Sequence, residues 1–266
     1  MKLTADNYYS RIANYTYCSV SQYKDFCGTY GKKGCEKTAL AKIAGRYEPK
    51  KTIALLVGGY VDAYFEGTLE EYKMNNPEVF KKDGTLKADY VKAEKIIERV
   101  TSDKVFMKYM SGQKQVIMTA DLWGVPFKIK MDSYLPGQAI VDLKIIESIT
   151  KPKWTGDAAP MDFIEYWGYD IQGAVYQKVV EINTGKKLPF FIAAATKEDA
   201  TNLEVIRVPQ TKLDAVMATV HSNLPRIQRL KNMEEAPTQC DTCEYCRMTK
   251  VLTGPIWEHE IQFDFG

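Results

Sequence analysis

The spacing of apolar and polar positions changes period along the chain. Through about residue 110 it is helical. Ser19 followed by Gln22 predicts a capping box opening a helix over Val20–Phe26. A short helix is expected over Cys35–Ala44, after Gly34 and ended by Gly45. Ile53–Glu66 is apolar and helix-like and stops at Gly67, and Leu86–Met110 carries Tyr90, Val91, Ile96, Ile97, Val100, Val105 and Phe106 at helical spacing. The pattern then becomes β-rich in Gln115–Ala120, Val125–Lys130 and Ala139–Ile146. Leu122-Trp123-Gly124 and Leu135-Pro136-Gly137 read as the connections of an antiparallel meander. Alternation puts Lys128, Lys130 and Asp132 on one face. Met161–Asn183 predicts one long helix striped by Ile164, Trp167, Ile171, Val175, Val179 and Ile182, and closed by Thr184-Gly185. Leu188–Thr196 is apolar enough for a buried central strand. A further strand over Leu203–Val208 and an amphipathic helix over Thr211–Asn232 follow. No repeat or low-complexity linker interrupts this order. It predicts one α/β domain over 1–266, with a helical N-terminal portion at 1–110, a core at 111–232 and a Cys-bearing segment at 233–266.

Composition narrows the function classes. With 45% hydrophobic and 26% charged residues in 266, the chain is an ordinary globular protein. Lys plus Arg is 36 against 34 Asp plus Glu, a net charge of +2, so any affinity for nucleic acid must come from a local basic surface. No stretch approaches the ~18 apolar residues that cross a bilayer. The start, MKLTADNYYS, lacks the apolar run of a signal peptide. The expectation is a cytoplasmic protein with no membrane partner.

Asp132, nine residues, then Asp142-Leu143-Lys144 form the central constellation. Asp142 and Lys144 are two apart in a strand and share a face, and a hairpin can bring Asp132 beside them. Two carboxylates suit Mg²⁺ or Mn²⁺, hard cations that prefer oxygen, and a neighbouring lysine can offset phosphate charge. The plainer alternative is a turn cap at Asp132 and a local Asp142–Lys144 ion pair. Against it, the charges interrupt an apolar strand, AIVDLKII, where an unpaired charge is costly. Six cysteines accompany only two histidines. Cys240, Cys243 and Cys246 form Cys-x2-Cys-x2-Cys, three ligands where Zn²⁺ or an iron–sulfur cluster needs four. Three reduced, unligated thiols are the other reading. Cys35, at a helix start, is the fourth candidate, because thiolates are favoured there; Cys18 and Cys27 are alternatives. Lys128, Lys130, Lys151 and Lys153 with Trp154, then Arg226, Arg229 and Lys231, read either as phosphate contacts or as solvated faces.

From Gly58-Gly59-Tyr60-Val61-Asp62 to Cys246, the order of parts resembles the PD-(D/E)XK nucleases, most closely phage-type exonucleases of the RecE-like group. Gln172 and Tyr176 resemble the extra Gln-x3-Tyr motif of RecB-type nucleases, and the cysteine triplet is similar to that of the Cas4 and AddB branch. The resemblance implies a restriction-endonuclease-like core, a mixed β-sheet flanked by helices. It implies Asp132 and Asp142 as metal ligands, the Leu143 carbonyl as a third, and Lys144 as the catalytic lysine. Gln172 and Tyr176 would touch DNA or brace the site. Where related nucleases carry a histidine on an early helix, this chain offers Asp62, a third carboxylate or else a helix residue facing water. The cysteines are expected to hold a [4Fe–4S] cluster, with Zn²⁺ as the alternative, through a fourth cysteine from the N-terminal region. The implied activity is metal-dependent exonucleolytic hydrolysis of DNA phosphodiester bonds in phage-type recombination, with a single-strand annealing protein as partner and oligomerisation left open. The alternatives are a cluster-bearing DNA-binding module with a vestigial centre, and a Cas4-like nuclease that trims DNA.

Overall fold

The computed structural model describes residues 1–155, 159–252 and 254–261. Gly156–Ala158, Thr253 and the end of the Cys-bearing segment, 262–266, lie outside the described residues. Helices α1 (Arg11–Thr16), α2 (Val20–Cys27) and α3 (Glu36–Ile43) come first, with a two-residue pair, β1 (Gly28–Thr29) and β2 (Lys32–Lys33), between α2 and α3. Ser19 caps α2 by accepting from the Gln22 amide, but the Gln22 side chain donates to the Asn14 carbonyl, so only half of the expected capping box forms. α4 (Ile53–Glu66) ends on Gly67 in the left-handed region. α5 (Leu69–Asn75), α6 (Ala88–Thr101) and α7 (Lys104–Tyr109) complete the helical portion. The single stretch expected over Leu86–Met110 is thus two helices, because Asp103 caps a new one through the Phe106 amide.

β3 (Val116–Leu122) and β4 (Val125–Met131) form an antiparallel hairpin. Its two-residue turn has Trp123 and Gly124 at φ 54° and 86°, the type I′ geometry that matches strand twist. The predicted meander does not continue. β4 stops at Met131, Asp132 breaks the extended run, and a new short strand, β5 (Ser133–Leu135), pairs with β6 (Ala139–Ile146). After β6 come α8 (Phe163–Trp167) and α9 (Tyr169–Thr184), split at Gly168, whose φ of +63° no helix interior adopts. One continuous helix over Met161–Asn183 is therefore not what forms. β7 (Phe190–Thr196) lies parallel to β6, β8 (Leu203–Arg207) is antiparallel to β7, and α10 (Gln210–Lys231) and α11 (Glu244–Met248) close the chain. The sheet order β5-β6-β7-β8 is mixed, as expected, and β6-to-β7 is the helix-bearing crossover a parallel pair requires.

Two apolar clusters cover the two faces of this sheet. On one, Ile140, Ile146, Phe190, Ile192 and Ala194 meet α9, α10 and the β3–β4 hairpin. On the other, Ala139, Val141, Leu143, Ala193 and Ala195 meet α4, α6 and α7. The period-2 alternation of β6 puts Asp142 and Lys144 on the same face as Ile140 and Ile146, toward α9. Two charges are thereby committed to the interior side of a central strand.

Candidate active site

Asp132 sits in the break between β4 and β5. Ser133 pairs with Val141, so the register carried one step further sets Asp132 opposite Asp142. Asp132 Oδ2 accepts from the Leu143 amide at 2.9 Å, and its Oδ1 from Gln115 Nε2 at 3.4 Å. Asp142 is 2% exposed. Its Oδ1 accepts from Gln172 Nε2 at 2.6 Å. Its Oδ2 lies 2.5 Å from Lys144 Nζ, so the Lys144 ammonium pairs with it directly. Burial pushes the Asp142 carboxyl up to about 7, with the Lys144 charge opposing and the Asp132 charge adding. Lys144 is itself desolvated, but Asp142 and then Asp132 more than compensate and hold it firmly as an ammonium, 5.0 Å from the Tyr169 ring centroid.

Asp62 reaches the same cavity from α4. Burial raises its carboxyl well above the usual range, and the Asp132 charge adds to this. Asp62 is half-buried and faces this cavity. Glu66, one turn on, also lines the cavity and is raised chiefly by burial. Asp62, Asp132, Asp142, Leu143, Lys144, Gln172 and Tyr176 all border one space of about 250 Å³. Of the two motif residues on α9, Gln172 holds Asp142, and Tyr176 donates its hydroxyl to the Lys130 carbonyl at 3.0 Å, bracing β4 just before Asp132.

Lys24, Tyr8 and Tyr9 also line the cavity and have no counterpart in the sequence reading. Lys24 donates to the Trp167 carbonyl at 3.0 Å, and burial, helped by the Lys144 charge, pulls it down to about 8. Nothing local marks these residues, which come from segments over 100 positions away. Glu66 was legible, being four residues after Asp62 on one helix face.

Several expected phosphate contacts are engaged elsewhere. Lys128 is buried, bonded to the Tyr8 carbonyl and Asn14. Arg226 grips Glu36 with two nitrogens at 3.0 and 2.9 Å, and Arg229 pairs with Glu235. Lys231 donates to the carbonyls of Asn14 and Tyr17, and Lys153 pairs with Glu147 at 2.7 Å. Lys151 and Trp154 are exposed, and Lys130 stays at the cavity.

The donor set fits a divalent cation. Burial, and then the Asp132 charge, raises the proton affinity of both Asp62 and Asp142, and the three carboxylates line one cavity. Asp62, Asp132 and Asp142 are hard oxygen donors, the chemistry Mg²⁺ and Mn²⁺ select. The acids do not converge as tightly as the thiols. Among the described residues, only Cys35, Cys240, Cys243 and Cys246 bring such ligand atoms together, all within 4.8 Å of one another. Cys35 caps α3 and lies 3.5 Å from Cys246, while the Thr38 hydroxyl bridges Cys35 and Cys243 at 3.3 and 3.0 Å. Burial works against the Cys240 thiolate, yet amide and thiol donation from Cys243 outweighs it and brings the group down to about 6. Cys18 is in the core and Cys27 stands apart from the cluster.

Residues 19–249 match the model of a family described as a PDDEXK-like domain of unknown function, DUF3799. A crystal structure from Eubacterium rectale, described as a "Putative exonuclease", is 56% identical to the chain over 97% of each protein, with a TM-score of 0.94. The crystal structure of SSO0001 is far more distant, at 12% identity and a TM-score of 0.28 over 73% of this chain and 84% of that one. No curated protein matches.

Proposed function

Because the chain belongs to the PDDEXK-like DUF3799 family, we propose that it is a divalent-cation-dependent deoxyribonuclease acting as an exonuclease. The observation that carries this is Asp132 facing Asp142 across β5–β6, with Lys144 on the same strand face as Asp142 and paired with it at 2.5 Å. Asp132 and Asp142, with the Leu143 carbonyl, would hold Mg²⁺ or Mn²⁺, and Asp62 stands where a third carboxylate can serve. When bound, the cation supplies Lewis-acid stabilisation of the charge that builds on a scissile phosphate.

The remaining chemistry belongs to the chain. Lys144, kept an ammonium by its aspartates, donates hydrogen bonds to a phosphate oxygen or an attacking water and balances negative charge. Gln172 fixes the rotamer of Asp142, and Tyr176 fixes the strand that carries Asp132, so both are positioning residues. Lys24 and Lys130 flank the acids and offset the phosphate charge. The setting proposed for this activity, phage-type recombination with a single-strand annealing protein, rests on the sequence resemblance alone.

The four thiols, all within 4.8 Å of one another, are read as a structural clasp that holds a [4Fe–4S] cluster, with Zn²⁺ as the alternative occupant.

The test is release of nucleotides from linear and from covalently closed duplex DNA, with Mg²⁺, with Mn²⁺ and with a chelator. Digestion of the linear form alone, and only with the cation, is expected. Cleavage of closed circles would make the enzyme an endonuclease. DNA binding with no cleavage under any cation would make the centre vestigial.

A further inference from the structure

The side of the cavity formed by the N-terminal segment carries chemistry that phosphate hydrolysis does not use. Tyr9 borders the same space as Asp132, Asp142 and Lys144, yet it is 69% exposed. Tyr8, its neighbour, is 6% exposed and fixed: the two rings meet edge to face with centroids 4.9 Å apart. Lys130 Nζ stands 5.0 Å from the Tyr9 centroid and 5.8 Å from that of Tyr8, and buried Lys128 lies 4.5 Å from Tyr8. A large aromatic ring is therefore held out into solvent by a buried partner and kept beside an ammonium, at the mouth of an acidic pocket.

Position gives this an occupant. Lys130 at the end of β4 and Asp132 in the break that follows line the same cavity. A phosphate held at Asp132 and Asp142 thus has the Lys130 ammonium on the same cavity wall to take the adjoining phosphate, and that ammonium stands against Tyr9, within reach of the intervening base. Stacking on an aromatic face tolerates every base, because every base has a π-face, and it requires that the base be out of the duplex.

We propose that Tyr9 is a stacking platform for the nucleobase next to the scissile phosphate, with Lys130 gripping the adjoining phosphate, so that the strand enters the site unpaired. This deepens the nuclease reading and rests on it. Tyr8 and Lys128 are its support. The site thereby handles any sequence but distinguishes an unpaired end from a paired one.

The test separates stacking from cleavage. Single-stranded oligonucleotides carrying 2-aminopurine at one terminus or the other are bound to Asp142→Asn protein, and the fluorescence of the base is read. Quenching is expected at one terminus, lost when Tyr9→Ala is added and kept with Tyr9→Phe. In the otherwise wild-type protein with Mn²⁺, Tyr9→Ala should lower kcat/KM on single strands by roughly 10- to 100-fold, the scale of one lost base stack. Tyr9→Phe should stay within about twofold. No quenching at either terminus, unchanged turnover in Tyr9→Ala, or equal losses in both Tyr9 variants would each overturn the platform. Failure of the wild-type protein to cleave any strand would remove the nuclease reading, while the fluorescence arm would still decide the stacking.

Discussion

Burial and charge conflict most directly at Asp142, which is 2% exposed and faces a second carboxylate. Such an arrangement costs stability unless counter-charge answers it, and Lys144 supplies one positive charge for two carboxylates. Two outcomes follow at this scale. Asp142→Asn and Lys144→Ala should each lower the cleavage rate by at least ~1,000-fold, about 4 kcal/mol of barrier, while DNA binding persists. Single-turnover kinetics beside a binding titration checks this, and near wild-type rates would remove both residues from the mechanism. The second outcome concerns stability without cation. The Asp62 carboxyl is raised on folding, so between the unfolded value near 3.8 and its higher folded value the native state holds a proton the unfolded chain has released. The stability it contributes is complete below the unfolded value and is lost as pH rises through the folded one. Asp62→Asn should therefore raise Tm in chelator at neutral pH by roughly 3–6 °C, what about 1–2 kcal/mol is worth in a chain this size. The gain should vanish near pH 4, and Mg²⁺ should shrink it at neutral pH. Thermal melts across pH with and without the cation decide it; a pH-independent gain would show that Asp62 carries no such strain.

At the scale of elements, α9 is the part that sets the geometry. It approaches β7 so closely that a Cβ on Gly173 would lie 2.5 Å from Phe190 Cδ1 and 3.0 Å from Leu213 Cδ2. The residue beside it, Gln172, holds Asp142. Alanine is the better helix former by ~1 kcal/mol, yet overpacking costs typically ~1–3 kcal/mol, so Gly173→Ala should destabilise the protein. It should also lower turnover more than binding, because lifting α9 off the sheet pulls Gln172 from Asp142. Denaturant melts together with kcat and KM test this. A stabilised and fully active variant would mean that the helix can move without consequence for the site. Gly168 shows the same dependence on backbone: its positive φ lets α8 and α9 meet at an angle that a single helix could not make.

For the whole molecule, the cysteine site joins the two ends of the chain. Cys35 and Cys246 are 211 residues apart in sequence. Glu36 reinforces the junction by accepting from Arg226 and from the Thr238 amide at 2.7 Å. Closing a loop of this length restricts the unfolded chain, although the gain grows only logarithmically. Metal analysis of anaerobically purified protein should find about four irons per chain in brown protein; colourless protein with one zinc would put Zn²⁺ in the cluster's place. Cys243→Ser should lower Tm by roughly 5 °C or more while the folded remainder keeps its rate, since the thiols contact no part of the acidic cavity. Equal stability without any metal would make these ordinary thiols. Much of this was legible in the sequence. Ile53–Glu66 and Ala139–Ile146 were readable to the residue, because a stop glycine bounds the helix and a β-rich run bounds the strand. Asp132, Asp142 and Lys144 stood out because charges in an apolar strand need a reason, and the cysteine triplet because its spacing is local. What local pattern could not carry came from the tertiary structure. Only the break at Asp132 and the register of β5 against β6 set the two aspartates face to face, and that register belongs to strand pairing, not to either segment. Only folding brings Tyr8, Tyr9 and Lys24 to the cavity and spends Arg226 and Lys231 on internal contacts, since contacts across more than 100 residues leave no period in the chain.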